Sequence, residues 1–340
     1  MAEVRPFRAL RYDVPDLEQV VAPPYDVISD EQRRELLARD AHNVVHLTLP
    51  DSEEQAAHDL AAWRESGVLV EEEPSYWWLS QDYVGPDGVA RTRHGFVAAL
   101  RAQPYEDRVV LPHEKTHAGP KEGRLRLLRA TRTQLEPIFL LWDGTIEVDG
   151  LGEPDVAAAE AKLWRLDADF GAALTEELRD AQLLIADGHH RYETTLEFGE
   201  SPWLLAVIVP TDQDGLTIFP THRVARSLHG AAGEPIDRPD DVLPGPVLYR
   251  GNGRYELLAG EGLDPEVVAA LAPDGVTYTA SREEAEAAVD AGEAEGAFLL
   301  RPTEIDDVWT VARRGDVMPQ KSTFFFPKLT SGLLFFPVAD

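Results

Sequence analysis

The chain has 340 residues, 44% of them hydrophobic, which is enough to bury a sizeable core and too much for a small binding module. It contains no cysteine, so disulfides, thiolate metal sites, iron–sulfur clusters and cysteine nucleophiles are excluded. A formal charge of -29 opposes binding to polyphosphate backbones and anionic membranes, so neither a nucleic-acid nor a membrane partner is expected.

No apolar run reaches about 18 residues. Residues 1–10 mix Arg5 and Arg8 with single apolar residues, and the expected address is the cytoplasm. In chain order, Pro15, Pro23 and Pro24 mark an irregular opening with a rigid Pro23-Pro24-Tyr25-Asp26 turn. Ser29 caps a helix through about Arg39. The pattern predicts a short strand over 44–49 and an amphipathic helix over 53–66. Strands over 76–84 and 91–100 are joined as a hairpin through Gly85-Pro86-Asp87-Gly88. Tyr76, Trp77 and Trp78 read as core, since nothing basic surrounds them.

Beyond a basic segment come a strand over 138–142, an acidic linker over 143–160, a strand over 162–166 and a helix over 175–179. A strand over 183–186, a helix over 192–198 and a strand over 203–209 then form a strand-helix-strand unit. Residues 230–246, rich in Pro, Gly and Asp, suggest a boundary between a main domain, 1–235, and a C-terminal lobe, 236–340. That lobe is read as strands over 247–249, 254–258 and 297–300 and helices over 264–271, 282–291 and 305–314. An apolar tail over 321–337 should pack into the body. The expected fold class is α/β (mixed α+β), with mixed sheets flanked by helices.

The sharpest local pattern is Asp187-Gly188-His189-His190-Arg191 between an apolar strand and helix-forming residues. Such a junction aims backbone N–H groups and a positive helix end at one point, where an anion binds. Arg191 adds a permanently charged fork, and His189 and His190 add groups that exchange protons near neutrality. Consecutive helical histidines point about 100° apart and seldom share an ion, so no metal is assigned to them.

Residues 113–132 form a basic island in an acidic protein, with six Lys and Arg against Glu114 and Glu122. At its start, His113-Glu114-Lys115-Thr116-His117 formally matches the zinc-protease pattern, but Pro112 before it and Gly119-Pro120 after it leave no room for the required helix. The segment offers groups for acid–base work or phosphate contact. Four of the five lysines fall here or in 321–328, where Lys321-Ser322-Thr323 offers a further anion contact, although the glycines of a phosphate-binding loop are absent.

Several phrases together resemble the prokaryotic domain of unknown function 1015 family. They are Pro6-Phe7-Arg8-Ala9-Leu10, Ala22-Pro23-Pro24-Tyr25-Asp26-Val27-Ile28, His113-Glu114-Lys115-Thr116, the 131–139 stretch with Arg132 and Glu136-Pro137, and the 185–194 and 318–333 segments. His117 departs from that family's pattern. The Gly188-His189-His190-Arg191 turn is similar, more remotely, to a signature of the ParB and sulfiredoxin-like superfamily, which includes nucleotide-dependent free-serine kinases. Sulfiredoxins carry a reactive cysteine where His189 stands, and that chemistry is excluded here.

The expected function is phosphoryl transfer from a nucleotide, ATP or ADP with Mg2+, to a hydroxylated metabolite such as free serine. Glu114, Asp187, His189 and His190 are the candidate catalytic groups. Gly188, Arg191, His113, Lys115, Thr116, Arg132, Lys321, Ser322 and Thr323 are the candidate phosphate or nucleotide contacts. A phosphatase using the same anion pocket and a non-catalytic nucleotide or metabolite sensor are the alternatives.

Overall fold

A computed structural model describes residues 1–114, 118–146 and 148–338. Among these, nine strands form one mixed sheet. Its order is Val110–Leu111, Leu183–Asp187, Ile138–Trp142, Trp203–Pro210, Ala90–Arg101, Tyr76–Val84, Ala161–Leu166 and Val156–Ala158, and Val4–Arg5 also pairs with Ala90–Arg101. The fold is mixed α/β, as the sequence indicates. The expected hairpin is present, running antiparallel from Trp77 opposite Val97 to Val84 opposite Ala90.

Alternation along the strands sends each residue to one of two cores. Trp77, Leu79, Val97, Phe139, Leu141, Leu184 and Val207 share one face. Trp78, Phe96, Ile138, Leu140, Ile185 and Ile208 share the other. Both faces are covered, which is why Ile138–Trp142 and Leu183–Asp187 read as continuous apolar runs.

The strand-helix-strand unit is split. Ile138–Trp142 lies between its two strands, antiparallel to Leu183–Asp187 and parallel to Trp203–Pro210. Its helix, His189–Phe198, starts directly after the glycine rather than at Tyr192. The helix expected over 175–179 begins earlier, as Ala168–Leu178, because the Asp167 side chain accepts from Phe170 N and caps it.

The short strand expected over 44–49 is instead a helical turn, Val45–Thr48. Asn43 anchors it: its Oδ1 accepts from Val45 N and its Nδ2 donates to Gln19 O and Val21 O. A short apolar run carries no period that separates the two conformations, and the side-chain bonds decide.

A second, six-stranded sheet takes the order Glu234–Ile236, Tyr255–Leu257, Val247–Tyr249, Gly296–Leu299, His222–Ala225 and Thr277–Thr279. After helix Ile305–Arg314 the chain returns to the first sheet's side. Phe324–Phe326 pairs with Thr217–Phe219, and Phe336–Pro337 pairs with Thr133–Gln134. The apolar tail is therefore core: Phe325, Phe335 and Phe336 are buried, and Leu10 N donates to Phe335 O. Among the described residues no helix is long and apolar enough to cross a membrane.

Phe335 is fully buried and its ring meets Tyr12 edge-on at 5.6 Å. Phe335→Ala should cost about 3–5 kcal/mol in equilibrium urea unfolding; a loss under about 1 kcal/mol would show that the tail is peripheral.

Candidate functional site

Strand Leu183–Asp187 delivers Asp187 to the edge of the core, and a register shift between Ile185 and Asp187 re-aims the end of the strand. Gly188 follows at φ +97, a conformation that side chains other than hydrogen strain. A Cβ there would also lie 2.7 Å from Ile138 Cγ2, so the turn closes tightly over the neighbouring strand. Helix His189–Phe198 starts at this point, with Tyr192 N bonded to Gly188 O.

Asp187 is gripped from two sides. Arg191 Nη2 donates to its Oδ2 at 2.6 Å, and Lys328 Nζ donates to its Oδ1. Burial works to raise the Asp187 carboxyl, but the Lys328 and Arg191 charges outweigh it and hold the group below the usual carboxylate range. Lys328 responds in kind: burial pushes it down, while Asp187 and Asp26 leave it raised. Asp26 Oδ2 lies 4.0 Å from the same ammonium. Arg191 is only 9% exposed, and its Nη1 donates to Pro137 O.

The histidines form a second layer. His113 is buried, and its Nδ1 donates to Ile185 O at 2.6 Å because a carbonyl can only accept. Its Nε2 must then accept, and Thr323 Oγ1 donates to it at 2.9 Å. The His113 backbone N–H in turn donates to His189 Nε2 at 3.3 Å, with the rings 4.8 Å apart. Burial lowers His113 to about 4, against the pull of the Ile185 bond and Asp187. Burial and the neighbouring His113 hold His189 well below its ordinary value. Glu114 is raised by burial, tempered by a backbone N–H from Lys321.

The tail that carries Thr323 and Lys328 is held by the central hairpin. Arg93, fully buried, donates through Nη2 to Pro327 O at 2.8 Å and to Gln81 Oε1 at 2.6 Å, and Gln81 Nε2 donates to Lys328 O at 3.2 Å. The Arg93 guanidinium also stacks over Phe139 at 4.5 Å, and burial lowers its pKa to about 10, so it stays charged at neutral pH. From the other side, Glu136 Oε1 accepts from Ser331 Oγ at 2.6 Å and from Tyr25 N at 3.1 Å, fixing the turn that carries Asp26.

These groups surround one cleft of about 280 Å3. Glu114, Asp187, Gly188, His189, His190, Arg191, Lys321 and Thr323 line it, and His113 stands behind Thr323. Three sequence segments far apart in the chain thus meet.

Two candidates do not join them. Arg132 sits beyond helix Ala118–Thr131 at φ 51, paired with Glu200 and lying over Phe198, because the chain turns back there into strand Thr133–Gln134. Ser322 is buried and turns its hydroxyl onto Pro319 O at 2.5 Å. Arg191 is largely committed to Asp187 and Pro137, so it shapes the turn more than it offers a free fork. Lys115 and Thr116, like His117, lie outside the described residues.

Asp26, Tyr25 and Lys328 also line the cleft, beyond the residues that the local sequence patterns single out. The rigid Pro-Pro-Tyr-Asp turn and the clustering of scarce lysines are the sequence features that point to them. Among the described residues no group of three His, Asp or Glu side chains could hold a metal ion.

The fold and cleft define a mixed α/β protein with a charged cleft at a strand-to-helix glycine turn, closed by its own C-terminal tail. The chain matches the family described as "Protein of unknown function (DUF1015)" over residues 4–238, and it belongs to that family. No curated protein matches it. Among solved structures it is similar to a free serine kinase in complex with AMP, at 17% identity and a TM-score of 0.43, covering 66% of this chain and 89% of that one. It is also similar to a conserved hypothetical protein from Pyrococcus furiosus, at 16% identity, TM-score 0.41 and coverage of 70% and 95%. A third is SbnI with a C-terminal truncation from Staphylococcus aureus, at 11% identity, TM-score 0.46 and coverage of 71% and 87%.

His113 stays neutral in the folded chain down to about pH 4, whereas its ordinary value is 6.5. Between those values the unfolded chain holds the extra proton, so this contribution to stability is present above pH 6.5 and lost as pH falls toward 4. Urea unfolding across that window should show a loss from this group of roughly 2–3 kcal/mol in the wild type. The His113→Gln chain should lose correspondingly less, and parallel pH profiles for the two proteins would refute the assignment.

Proposed function

We propose that the chain is a small-molecule phosphotransferase, a nucleotide-dependent kinase acting on a hydroxylated metabolite. The observation that carries this reading is the opening of helix His189–Phe198 onto a cleft that Lys321 and Lys328 also line. First-turn N–H groups and the helix dipole favour phosphate oxygens at such a place, and ammonium groups neutralise the charge that builds on a phosphoryl group in transfer. Glu114, desolvated and raised, suits the removal of a proton from an acceptor hydroxyl. Asp187, kept ionised, fixes Lys328 and Arg191 in place.

Among the described residues the cleft offers no all-protein cage for magnesium, since the Lys328 ammonium lies between Asp187 and Asp26. That fits a cation that arrives on the nucleotide phosphates and takes one or two carboxylates from the cleft. Mg2+ bound in this way would screen the phosphate charge. ATP or ADP as the nucleotide and free serine as the acceptor form the first set to assay. The same proposal includes a cytoplasmic protein without a nucleic-acid partner, organised as a main domain and a C-terminal lobe whose sheet already takes in His222–Ala225, ahead of the boundary expected at 235, and Glu234–Ile236, which straddles it.

Thermal shift with ATP and magnesium should raise the melting temperature, because ligand at about a hundredfold over its Kd adds about 2.7 kcal/mol to the folded state. Lys328→Met should lose most of the shift, while Arg33→Ala, which removes a surface pair with Asp51, should keep it. Equal shifts in the two variants would sink the placement of the phosphate site. ADP release that needs no hydroxyl compound would favour a hydrolase.

A further inference from the structure

We propose that Thr323 is a nucleophile: its Oγ takes the phosphoryl group from the nucleotide as phosphothreonine and passes it to the hydroxyl acceptor. This rests on the phosphotransferase reading and adds a covalent step to it.

The geometry has the three parts of an activated hydroxyl. Thr323 Oγ1 is at the cleft wall, 2.9 Å from His113 Nε2. His113 is buried, and its opposite nitrogen is fixed by Ile185 O at 2.6 Å, so its Nε2 lone pair is aimed at Thr323. A hydroxyl, a neutral imidazole and a group that orients the imidazole are the arrangement that makes an alcohol nucleophilic. The orienting group here is a carbonyl; burial and the Lys328 charge keep His113 neutral at rest, and the Asp187 charge acts in the opposite sense, toward the imidazolium.

Three other nucleophiles at or beside the cleft are committed elsewhere. Asp187 has Arg191 on one oxygen and Lys328 on the other. His189 Nε2 accepts from the His113 backbone. Ser322 donates to Pro319 O and does not line the cleft. Among the described residues, Thr323 is the one aliphatic hydroxyl that lines it.

In the first half-reaction, Thr323 Oγ bonds to the terminal phosphorus and the bond from that phosphorus to the bridging oxygen breaks. The nucleotide leaves one phosphate shorter, and the threonine proton passes to His113 Nε2. In the second, the acceptor oxygen bonds to phosphorus and the Oγ–phosphorus bond breaks. Thr323 recovers its proton from His113, and the acceptor proton passes to Glu114 and on to solvent. Between the two steps the phosphothreonine dianion lies near Lys321 and Lys328, which compensate its charge.

The test uses the full chain with ATP and magnesium, without an acceptor. Labelled ADP should exchange into ATP, and intact mass should show one added phosphate that survives acid and maps to Thr323. Thr323→Val should lose both signals and Thr323→Ser should keep them, while both variants still bind ATP by thermal shift. A merely structural Thr323–His113 bond predicts no exchange, and a Thr323→Val chain that phosphorylates its acceptor at the wild-type rate overturns the covalent step while leaving the kinase reading intact. An acid-labile label would place the phosphate on a histidine or a carboxylate and also overturn it. Failure of the wild type to bind ATP removes both readings.

Discussion

The Asp187 carboxylate, held between Arg191 and Lys328, ties together two parts of the chain that are distant in sequence. It ends strand Leu183–Asp187, pins the helix that follows Gly188 and fastens the C-terminal tail at the cleft. Two cations around one carboxylate are favourable in a partly buried place only if each charge is compensated, since removing either partner leaves an uncompensated charge in a low-dielectric surround. Asp26 supplies the second negative charge near Lys328, and the Pro137 carbonyl takes the remaining arm of Arg191. The polar constellation is therefore a structural joint as much as a chemical one.

That joint is rigid because the elements behind it are. Arg93 and Gln81, on adjacent strands of the central hairpin, hold the carbonyls of Pro327 and Lys328. Glu136 holds Ser331 and the Tyr25 backbone. A buried arginine that spends its donors on carbonyls carries a desolvation cost, and the gain is a fixed path for a segment with little regular structure of its own. The apolar residues of that segment, Phe325, Phe335 and Phe336, contribute the burial that offsets the cost.

The location of the charge also matters. The chain is strongly acidic as a whole, yet its cleft gathers Lys321, Lys328 and Arg191 around a helix start. An acidic exterior repels polyanions at large, while a cleft whose three cations balance Asp26, Glu114 and Asp187 lacks that net repulsion. Neutral, desolvated imidazoles in this cleft supply the acceptors that proton transfer requires.

The sequence by itself determined the strands and helices whose pattern is long or punctuated. The Tyr76–Val84 hairpin was legible from alternation and a glycine-rich turn, and the glycine turn at 187–191 from an apolar run that stops at Asp-Gly. Local periodicity and turn chemistry act within a few residues, so one dimension suffices for them. Tertiary structure decided what depends on distant partners. Val45–Thr48 is helical because Asn43 finds the carbonyls of Gln19 and Val21. Lys328 and Asp26 belong to the cleft because the tail folds back over it, and Arg132 does not because its chain turns into another strand. Ile138–Trp142 inserts between the two strands of the split unit because hydrogen bonds and burial satisfy all three together. None of those pairings has a local signature, since each is fixed by side chains and backbone groups that meet only after the chain has folded.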